Sequence, residues 1–334
     1  MASTTVLSGI RATGRLHFGS LLGAVQNFVR YQDDVDTQCL YFVADYHTLT
    51  TLDAPAEMRS NIIEIVKDYL AAGLDPERSI IYVQSSVHQI AELMLYLSML
   101  QPLGDLQRIP TFKDLVRRNP DRVTHGLISY PVLMAADILG PKATLVPVGS
   151  DQIPNVELAR DLAVRFNQRF GDILTIPSMM EEMIKVPGLD GGKMGKSDAA
   201  NAIGIDMDKK SILSRYKQSG ITDPNRVTRS DPGDPYNACV SVYPVHEMVT
   251  PGEVQSRSIA QQCQTAKIGC SECKGTLTES IWNIVGPFQE RRREFENQDD
   301  LIYDILKSGA QKARSIIIPT VEEVAEAMGI TRFN

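Results

Sequence analysis

The first half of the chain alternates between two spacings of apolar residues. Val6–Ile10, Gln38–Asp45 and Ser79–Gln84 are short runs rich in apolar and β-branched residues, which predicts buried strands. Gly19–Asp33 and Pro55–Ala72 lie between them and carry apolar residues at helical spacing, which predicts helices. Because strands and helices alternate, the pattern indicates a parallel sheet with crossover helices.

The alternation continues toward the middle of the chain. Gln89–Leu100, Tyr130–Leu139 and Pro154–Phe170 have the helical period, and Pro154 suits the first turn of its helix. Ala143–Val148 is short and apolar, and we expect it to form a further strand. The predicted fold class is therefore α/β, with a Rossmann-type doubly wound parallel sheet and helices on both of its faces.

After about residue 187 the pattern changes. Pro187–Lys193 is rich in glycine, and later segments such as Glu279–Glu296 and Asp299–Arg314 have the helical period without intervening strands. We therefore divide the chain into an α/β nucleotide-binding domain at 1–190, a mobile loop at 191–200 and a mainly helical domain at 201–334. The glycine-rich joint is a candidate hinge.

Composition narrows the class of protein. With 334 residues, 43% of them hydrophobic, the chain exceeds what one core usually supports. No apolar run is long enough to span a membrane, and Met1–Ser8 lacks the features of a signal peptide, so we expect a soluble, cytoplasmic protein. The net charge of −7 opposes indiscriminate binding to DNA or RNA.

Any RNA partner must therefore meet local basic patches. The two candidates are one segment with Lys113, Arg117, Arg118 and Arg122, and the run Arg291–Arg293. The simpler interpretation of each patch is a solvated helix face.

Four of the five cysteines lie in the last third of the chain. Cys239, Cys263, Cys270 and Cys273 are separated by 23, 6 and 2 residues, whereas Cys39 is expected to be a buried strand residue. An odd total without an export signal argues for reduced thiols rather than disulfides. A local C-x2-C with two more distant cysteines suits zinc or an iron–sulfur cluster. A metal site beside a nucleotide site suggests work on nucleic acid.

Two glycine-containing motifs carry candidate phosphate chemistry. Thr13–Ser20 reads Thr-Gly-Arg-Leu-His-Phe-Gly-Ser and joins the first strand to the first helix, where backbone N–H groups and the helix dipole favour a polyphosphate. Gly191–Ser197 reads Gly-Gly-Lys-Met-Gly-Lys-Ser and carries two lysines that could stabilise a leaving pyrophosphate. Together the motifs resemble the HIGH and KMSKS signatures of class I aminoacyl-tRNA synthetases.

The stretch Gly126–Asp161 resembles the tryptophanyl-tRNA synthetase family in particular. It contains Ser-Tyr-Pro-Val-Leu-Met-Ala-Ala-Asp and later Val-Pro-Val-Gly-Ser-Asp-Gln. The resemblance extends from Leu7-Ser8-Gly9 through Val43–His47 to the final helix, so it covers nearly the whole chain. It implies that Asp137 accepts the indole N–H of tryptophan. The chemistry supports this role, because an indole has one hydrogen-bond donor and no acceptor and therefore needs a single acceptor.

The resemblance implies further site residues. Tryptophan would contact Leu7, His47, Tyr130, Met134, Asp137, Val146, Val148 and Gln152. ATP would contact Gly9, Arg11, Ala12, Thr13, Gly14, His17, Gly19, Ser20, Gly149, Ser150, Asp151, Val186, Lys193, Met194, Gly195, Lys196 and Ser197. Of these, His17, Lys193 and Lys196 would be catalytic. Met134, Val146 and Val148 also sit where ordinary core residues would.

The implied reaction is the activation of L-tryptophan by ATP with Mg²⁺, followed by transfer to tRNA(Trp), in a homodimer whose helical domain binds the anticodon. The chain departs from the family pattern at Gly195, where serine is common, at Ser20, where asparagine is frequent, at Arg11, where many relatives have glutamine, and at Leu7, where some have an aromatic residue. We still expect activity, because both lysines and Ser197 are present.

The cysteine spacing resembles that of one branch of this family, which holds a [4Fe–4S] cluster near the anticodon-binding region. The first gap here is one residue longer, which a loop absorbs easily. Four thiolates also suit zinc, so that alternative stays open.

Two other functions compete. One is a tyrosyl-tRNA synthetase, although a phenol both donates and accepts and Met134–Asp137 is apolar for such a pocket. The other is a non-catalytic paralogue that binds tryptophan or RNA.

Overall fold

A computed structural model of the chain describes residues 4–51, 54–118, 120, 123–177, 184–195 and 200–331. The contacts between Cα atoms divide the chain into two units. Unit 1 comprises residues 1–15, 27–183 and 297–334, and unit 2 comprises residues 16–26 and 184–296.

Among the described residues, the sheet of unit 1 contains three parallel strands in the order β1-β2-β3. They are β1 (Thr4–Arg11), β2 (Thr37–Ala44) and β3 (Ser79–Val83). Val6 of β1 pairs with Cys39 of β2, and Cys39 pairs with Ser79 of β3. Cys39 is buried, as predicted. The predicted α/β class with a parallel sheet is confirmed, and the three predicted strands differ from the observed ones by at most two residues at either end.

Helices account for most of the remaining described structure. In chain order they are α1 (Phe18–Ser20), α2 (Gln26–Gln32), α3 (Asp45–Thr48), α4 (Pro55–Ala72), α5 (Gln89–Ser98), α6 (Leu103–Arg108), α7 (Pro110–Arg118), α8 (His125–Leu139), α9 (Ile153–Phe170), α10 (Lys209–Ser219), α11 (Tyr243–Val249), α12 (Glu253–Gln264), α13 (Cys270–Arg293) and α14 (Asp299–Ala327). A π-helical turn, Leu21–Val25, joins α1 to α2, and 3-10 turns lie at Gln84–Ser86 and Ser150–Gln152.

The limits of α4 follow from the residues at its ends. Pro55 occupies the first turn, where its missing N–H costs nothing. Gly73 ends the helix in a left-handed conformation with φ 108°, and its N–H donates to the carbonyl of Leu70. The predicted helix Pro55–Ala72 is therefore confirmed at both ends.

The predicted strand at Ala143–Val148 is wrong as a strand. It meets β1 through one isolated bridge, between Leu145 and Val6. The N–H groups of Thr144 and Leu145 both donate to the carbonyl of Thr5, so the regular one-to-one ladder does not propagate. The segment still lies beside β1, and the spatial order 143–148, β1, β2, β3 reverses at β1. Ligands of doubly wound sheets bind at such a reversal.

Three helices extend beyond their predicted limits. α8 begins at His125 because the side chain of Thr124 accepts a hydrogen bond from the N–H of Leu127. α13 begins at Cys270, where the Glu272 carboxylate accepts from the N–H of Gly269. α14 continues past the predicted end at residue 314 to Ala327 and includes Pro319.

The two units do not follow the chain order that the predicted division at 1–190, 191–200 and 201–334 assumed. Residues 297–334 belong to unit 1 because α14 packs on β3, so closely that a Cβ on Gly309 would lie 1.8 Å from the carbonyl oxygen of Ile81. Residues 16–26 belong to unit 2, where Phe18 is buried with Val186 and Met194.

Each unit has its own apolar core. That of unit 1 joins residues of β2, α5, α8, α9 and α14, and that of unit 2 joins residues of α10, α11 and α13. None of the helices in the described part of the chain combines the length and the hydrophobicity needed to cross a lipid bilayer.

Candidate active site

Asp137 is a buried acid on α8 of unit 1. Its neighbours in sequence, Ala135, Ala136 and Ile138, are core residues, and Asp137 itself is 2% exposed. Burial raises the pKa of its carboxyl, and the hydrogen bond to His47 acts in the opposite direction. An acid in such surroundings needs partners.

Two side chains supply them. The amide nitrogen Nε2 of Gln84 donates to Oδ1 of Asp137 at 2.9 Å and to Oδ2 at 2.8 Å. Nε2 of His47 is hydrogen-bonded to Oδ2 at 2.9 Å. Gln84 directly follows β3 and His47 follows β2, so both side chains come from the carboxyl ends of parallel strands. The carboxyl of Asp137 is therefore held from two directions, and its two oxygens offer about four acceptor positions in all.

A second polar group lies on α8 and α9. Asn155 is fully buried, and its Nδ2 donates to the hydroxyl of Tyr130 at 3.4 Å and to Oε1 of Gln152 at 2.8 Å. The ring of Tyr130 stands edge-on to His47, with ring centres 6.2 Å apart. His47, Tyr130, Asp137 and Gln152 were all predicted tryptophan residues, and the structure links them through Asn155 and direct contacts.

The four apolar residues predicted for the tryptophan slot are Leu7, Met134, Val146 and Val148. Leu7, Val146 and Val148 belong to the core of unit 1, and Met134 packs against it. Their position therefore agrees equally with a slot lining and with ordinary core packing, and their contact with tryptophan stays a prediction.

The predicted ATP residues of unit 1 lie at the carboxyl end of β1 and after residue 148. Gly9 packs under the ring of Phe42, which a Cβ would approach to 2.7 Å, so packing alone requires a glycine there. Gly14 has φ 99°, which favours glycine. The backbone of Ala12 bonds to Thr48 through its N–H and to Asn61 through its carbonyl.

The other predicted ATP residues of unit 1 lie at the end of β1 and in loops and turns. The guanidinium of Arg11 bonds to the hydroxyls of Thr50 and Thr51, and the N–H of Thr13 donates to the carbonyl of Arg11. Gly149 precedes the 3-10 turn that carries the exposed residues Ser150 and Asp151.

His17 of unit 2 forms the N-cap of α1. Its Nδ1 accepts from the N–H of Ser20 at 3.2 Å, and the hydroxyl of Ser20 accepts from the N–H of His17 at 3.0 Å. Because Nδ1 is an acceptor, the neutral ring carries its proton on Nε2 as a donor.

The lysine loop contacts the first motif inside unit 2, although 175 residues separate them. The N–H of Gly19 points at Sδ of Met194 at 3.2 Å, and a Cβ on Gly19 would lie 3.1 Å from both the His17 ring and Cβ of Met194. The N–H of Met194 donates to the carbonyl of Val186. Of the two lysines predicted to be catalytic, Lys193 is exposed next to this anchor.

Some predicted residues lie outside the described part of the chain. Lys196 and Ser197 of the lysine loop do so, whereas Gly195 is described and half-buried. The same holds for Arg122 and for the side chain of Arg118 in the first basic patch, while Lys113 and Arg117 are exposed. The second patch is not continuous, because Arg292 lies on the inner face of α13 and is 6% exposed.

The four predicted metal ligands converge. Cys239, Cys263, Cys270 and Cys273 all line one pocket of unit 2, and all four are free thiols. Among the described residues, no three histidine, cysteine, aspartate or glutamate side chains stand close enough together to coordinate a metal ion. The thiols therefore share a pocket without the final geometry of a metal site.

Comparisons with known proteins decide the family. The model of the family "tRNA synthetases class I (W and Y)" matches residues 1–286. The tryptophan–tRNA ligase of Thermotoga maritima is 40% identical over 97% of this chain and 99% of its own length. The tryptophan–tRNA ligase of Deinococcus radiodurans is 38% identical over 98% of this chain and 99% of its own length. The crystal structure of Campylobacter jejuni tryptophanyl-tRNA synthetase, complexed with ADP and tryptophan, is 33% identical, with a TM-score of 0.83 over 98% of this chain and 100% of that one.

The chain belongs to the tryptophanyl-tRNA synthetases of class I. It is therefore an enzyme with the function of a tryptophan–tRNA ligase. The family model covers enzymes for tryptophan and for tyrosine. The relatives named above are all tryptophan enzymes, so the tyrosyl alternative is not supported.

Two residues that hold the polar groups around Asp137 and Tyr130 of this synthetase, Gln84 and Asn155, are not among those predicted from its sequence. Gln84 could have been found, because it directly follows a predicted strand, where ligand-binding side chains collect. Asn155 gave no such signal, because a polar residue in the first turn of a helix is ordinary.

Proposed function

We propose that Asp137 is the residue that selects tryptophan, by accepting the indole N–H. The proposal rests on one observation: a buried carboxyl, held by Gln84 and His47, on a helix whose surrounding residues are apolar. A single donor in a ring matches a single acceptor in an apolar setting. Tyrosine, whose hydroxyl stands elsewhere on a smaller ring, leaves this acceptor unpaired, which is costly.

Binding measurements test this selection. Thermal-shift titration should show stabilisation by L-tryptophan and little by L-tyrosine at equal concentration, because only a ligand that binds the folded state raises its melting temperature. Asp137→Ala should abolish the tryptophan effect. A tyrosine response equal to that of tryptophan would contradict the assignment.

The remaining tryptophan residues have distinct proposed roles. Gln152, linked to Asn155, would meet the ammonium group, and His47 and Tyr130 would flank the ring. With the amino acid so held, one carboxylate oxygen attacks the α-phosphorus of ATP, the bond to the bridging oxygen of the β-phosphate breaks, and pyrophosphate leaves. A ribose hydroxyl at the 3′ end of tRNA(Trp) then attacks the carbonyl carbon of the adenylate, the bond from that carbon to the phosphate oxygen breaks, and AMP leaves.

Electrostatic stabilisation of the phosphate during this step is proposed for His17, Lys193 and Lys196. The contact of Gly19 with Met194 supports a joint role, because it places Met194, next to Lys193, against the turn that carries His17. Charge that grows in the transition state is stabilised best by donors already in place. Mg²⁺ bound with ATP supplies further positive charge.

The test for the lysines separates rate from binding. Lys196→Ala should lower the rate of tryptophan-dependent ATP–pyrophosphate exchange far more than it weakens tryptophan binding. An unchanged rate would remove the lysine loop from the mechanism.

The helical part of unit 2 is proposed to meet the anticodon region of the tRNA. Exposed cations lie in the segments around the cysteines, among them Arg229 and Lys267. If they contact RNA phosphates, Arg229→Glu should weaken tRNA binding more at low salt than at high salt, without changing ATP–pyrophosphate exchange.

We further propose that the four cysteines hold a metal group, with [4Fe–4S] favoured over zinc. The donor set fits, because four reduced thiols from three segments of chain line one pocket. The group would serve as a structural link between these segments. Anaerobic purification followed by analysis of iron, sulfide and zinc distinguishes the two metals, and protein that takes up neither on reconstitution would refute both.

A homodimer is proposed through unit 1. Leu95 and Met99 lie one helical turn apart and are 55% and 67% exposed, and Leu103 is 57% exposed. Apolar side chains so close together on a surface are typical of an interface. Sedimentation analysis should give a dimer for the wild type and a monomer for a Leu95→Glu, Met99→Glu double variant.

A further inference from the structure

The cysteine pocket of unit 2 is small and mainly apolar. Its cavity has a volume of about 20 Å³, and Val242, Tyr243 and Ile259 contribute to its wall along with the thiols. Four thiolates bound to a metal group are negative overall, and negative charge in an apolar pocket requires a compensating partner.

Arg226 is placed to be that partner. Its Nη1 lies 3.5 Å from Sγ of Cys263, in hydrogen-bonding geometry for a sulfur acceptor. Its Nη2 donates to the carbonyl of Ile268 at 2.7 Å and to that of Arg229 at 2.9 Å. The guanidinium of Arg226 thus contacts the thiol of Cys263, the turn before Cys270 and the loop that contains Arg226 itself.

The remaining nitrogen of this side chain is a buried donor. Nε of Arg226 makes no hydrogen bond to any described residue. Gly233 lies against the same contact, because a Cβ there would come within 2.7 Å of Sγ of Cys263 and 3.3 Å of Cδ of Arg226. The backbone at Gly233 is therefore packed closely against the point where guanidinium and thiol meet, and a side chain there would displace them.

Other charged groups near the pocket are already engaged. Asp223 lines the pocket, but its two carboxylate oxygens accept from the N–H groups of Asn225 and Asp234, each at 2.8 Å. The ammonium of Lys274 donates to the carbonyl of Gly220 at 2.8 Å. Arg226 is thus the cation that directs an N–H at a thiol among these side chains.

We propose that Arg226 is a positioning and charge-compensating residue for the metal group at the four cysteines. It directs Cys263 and the 266–270 turn toward the pocket, and its positive charge balances that of the thiolates. The inference rests on the metal site proposed above. Outer residues of this kind commonly change metal affinity by about tenfold to 100-fold.

The test uses anaerobically purified and reconstituted full-length protein. Arg226→Gln keeps a hydrogen-bond donor without the charge, and Arg226→Lys keeps the charge without the planar fork. Arg257→Gln is the matched control, because Arg257 lies on α12 like Cys263 but is exposed and pairs with Glu253. The measured quantities are metal per chain and the rate of metal release to a chelator.

Arg226→Gln should release the metal roughly tenfold or more faster than the wild type, Arg226→Lys should fall between them, and Arg257→Gln should match the wild type. If the group is an iron–sulfur cluster, its midpoint potential should become more negative in Arg226→Gln, because loss of a nearby positive charge disfavours the added electron, and Arg226→Lys should restore it. A role in folding alone would not move the potential in this charge-dependent way.

The outcomes separate the two proposals. If the wild type holds metal and Arg226→Gln releases it at the wild-type rate, the role of Arg226 is refuted and the metal site stands. If the wild type takes up neither iron nor zinc, and cobalt(II) added to the metal-free protein gives no thiolate-to-cobalt absorption, the metal site is refuted and the role of Arg226 with it. Should Arg226→Gln fail to fold, Arg226→Lys decides by the same release rate.

Discussion

Nε2 of His47 and Oδ2 of Asp137 lie 2.9 Å apart across ninety residues of chain, and Gln84 bonds to both oxygens of the same carboxyl. His47 follows β2, Gln84 follows β3 and Asp137 lies within α8. Three separate elements therefore fix one acceptor, so its direction is set before any ligand arrives. Such preorganisation lowers the cost of binding.

Gln84→Met tests this arrangement. Methionine has similar length but no donor, so the carboxyl of Asp137 loses the Gln84 hydrogen bond to each oxygen and is held only by His47 at Oδ2. We expect tryptophan affinity, measured by isothermal titration calorimetry, to fall by roughly 1–3 kcal/mol. Gln107→Met is the matched control, because Gln107 is exposed on α6. Equal affinities for both variants would show that Gln84 does not position Asp137.

The raised pKa of Asp137 predicts a pH effect on stability. Between the ordinary value near 4 and the raised one, the folded state holds a proton on Asp137 that the unfolded state has released. The contribution of Asp137 to the free energy of unfolding therefore decreases as pH rises through this window. Asp137→Asn lacks the decrease, so its stability relative to the wild type should rise with pH and then level off.

Urea denaturation between about pH 3.5 and about pH 7.5 measures this difference. Asp161→Asn, on the exposed face of α9, serves as the comparison. If wild type and Asp137→Asn give parallel curves over the whole range, burial does not penalise the charged carboxyl. A gain in stability with a loss of tryptophan binding is the expected compromise at a functional site.

Lys193→Ala tests the described part of the lysine loop. Lys193 directly precedes the buried anchor Met194, and removing one charge that stabilises a transition state typically costs about 100-fold or more in rate. We expect that loss in ATP–pyrophosphate exchange, with tryptophan affinity unchanged. Lys185→Ala, an exposed lysine of the same unit, should retain the wild-type rate. A loss of affinity equal to the loss of rate would indicate uniform binding instead.

The sequence predicts those parts of the fold that depend on local residues. Pro55 and Gly73 define α4, and short apolar runs define the three strands. It fails where tertiary contacts decide: the shared acceptor at Thr5 prevents a regular fourth strand, and the packing of Gly309 on Ile81 assigns α14 to unit 1.

Some residues of the candidate site can be predicted from the sequence, and others cannot. Asp137 stands out in the sequence because an acid interrupts an apolar run, and the cysteines stand out by spacing. Gln84 and Arg226 do not, because their importance lies in what their nitrogen atoms reach in space. Polar side chains that act through another residue carry no periodic signal.

The contact between α14 and β3 gives the last prediction. A Cβ on Gly309 would lie 1.8 Å from the carbonyl oxygen of Ile81, a backbone atom that cannot move without disturbing the strand. Gly309→Ala should therefore lower the free energy of unfolding by about 2 kcal/mol or more, despite the higher helix propensity of alanine. Gly275→Ala on α13, where a Cβ meets nothing within 4 Å, should instead gain about 1 kcal/mol. Urea denaturation of both variants measures the contrast, and a Gly309→Ala protein as stable as the wild type would show that helix and strand are not in such close contact.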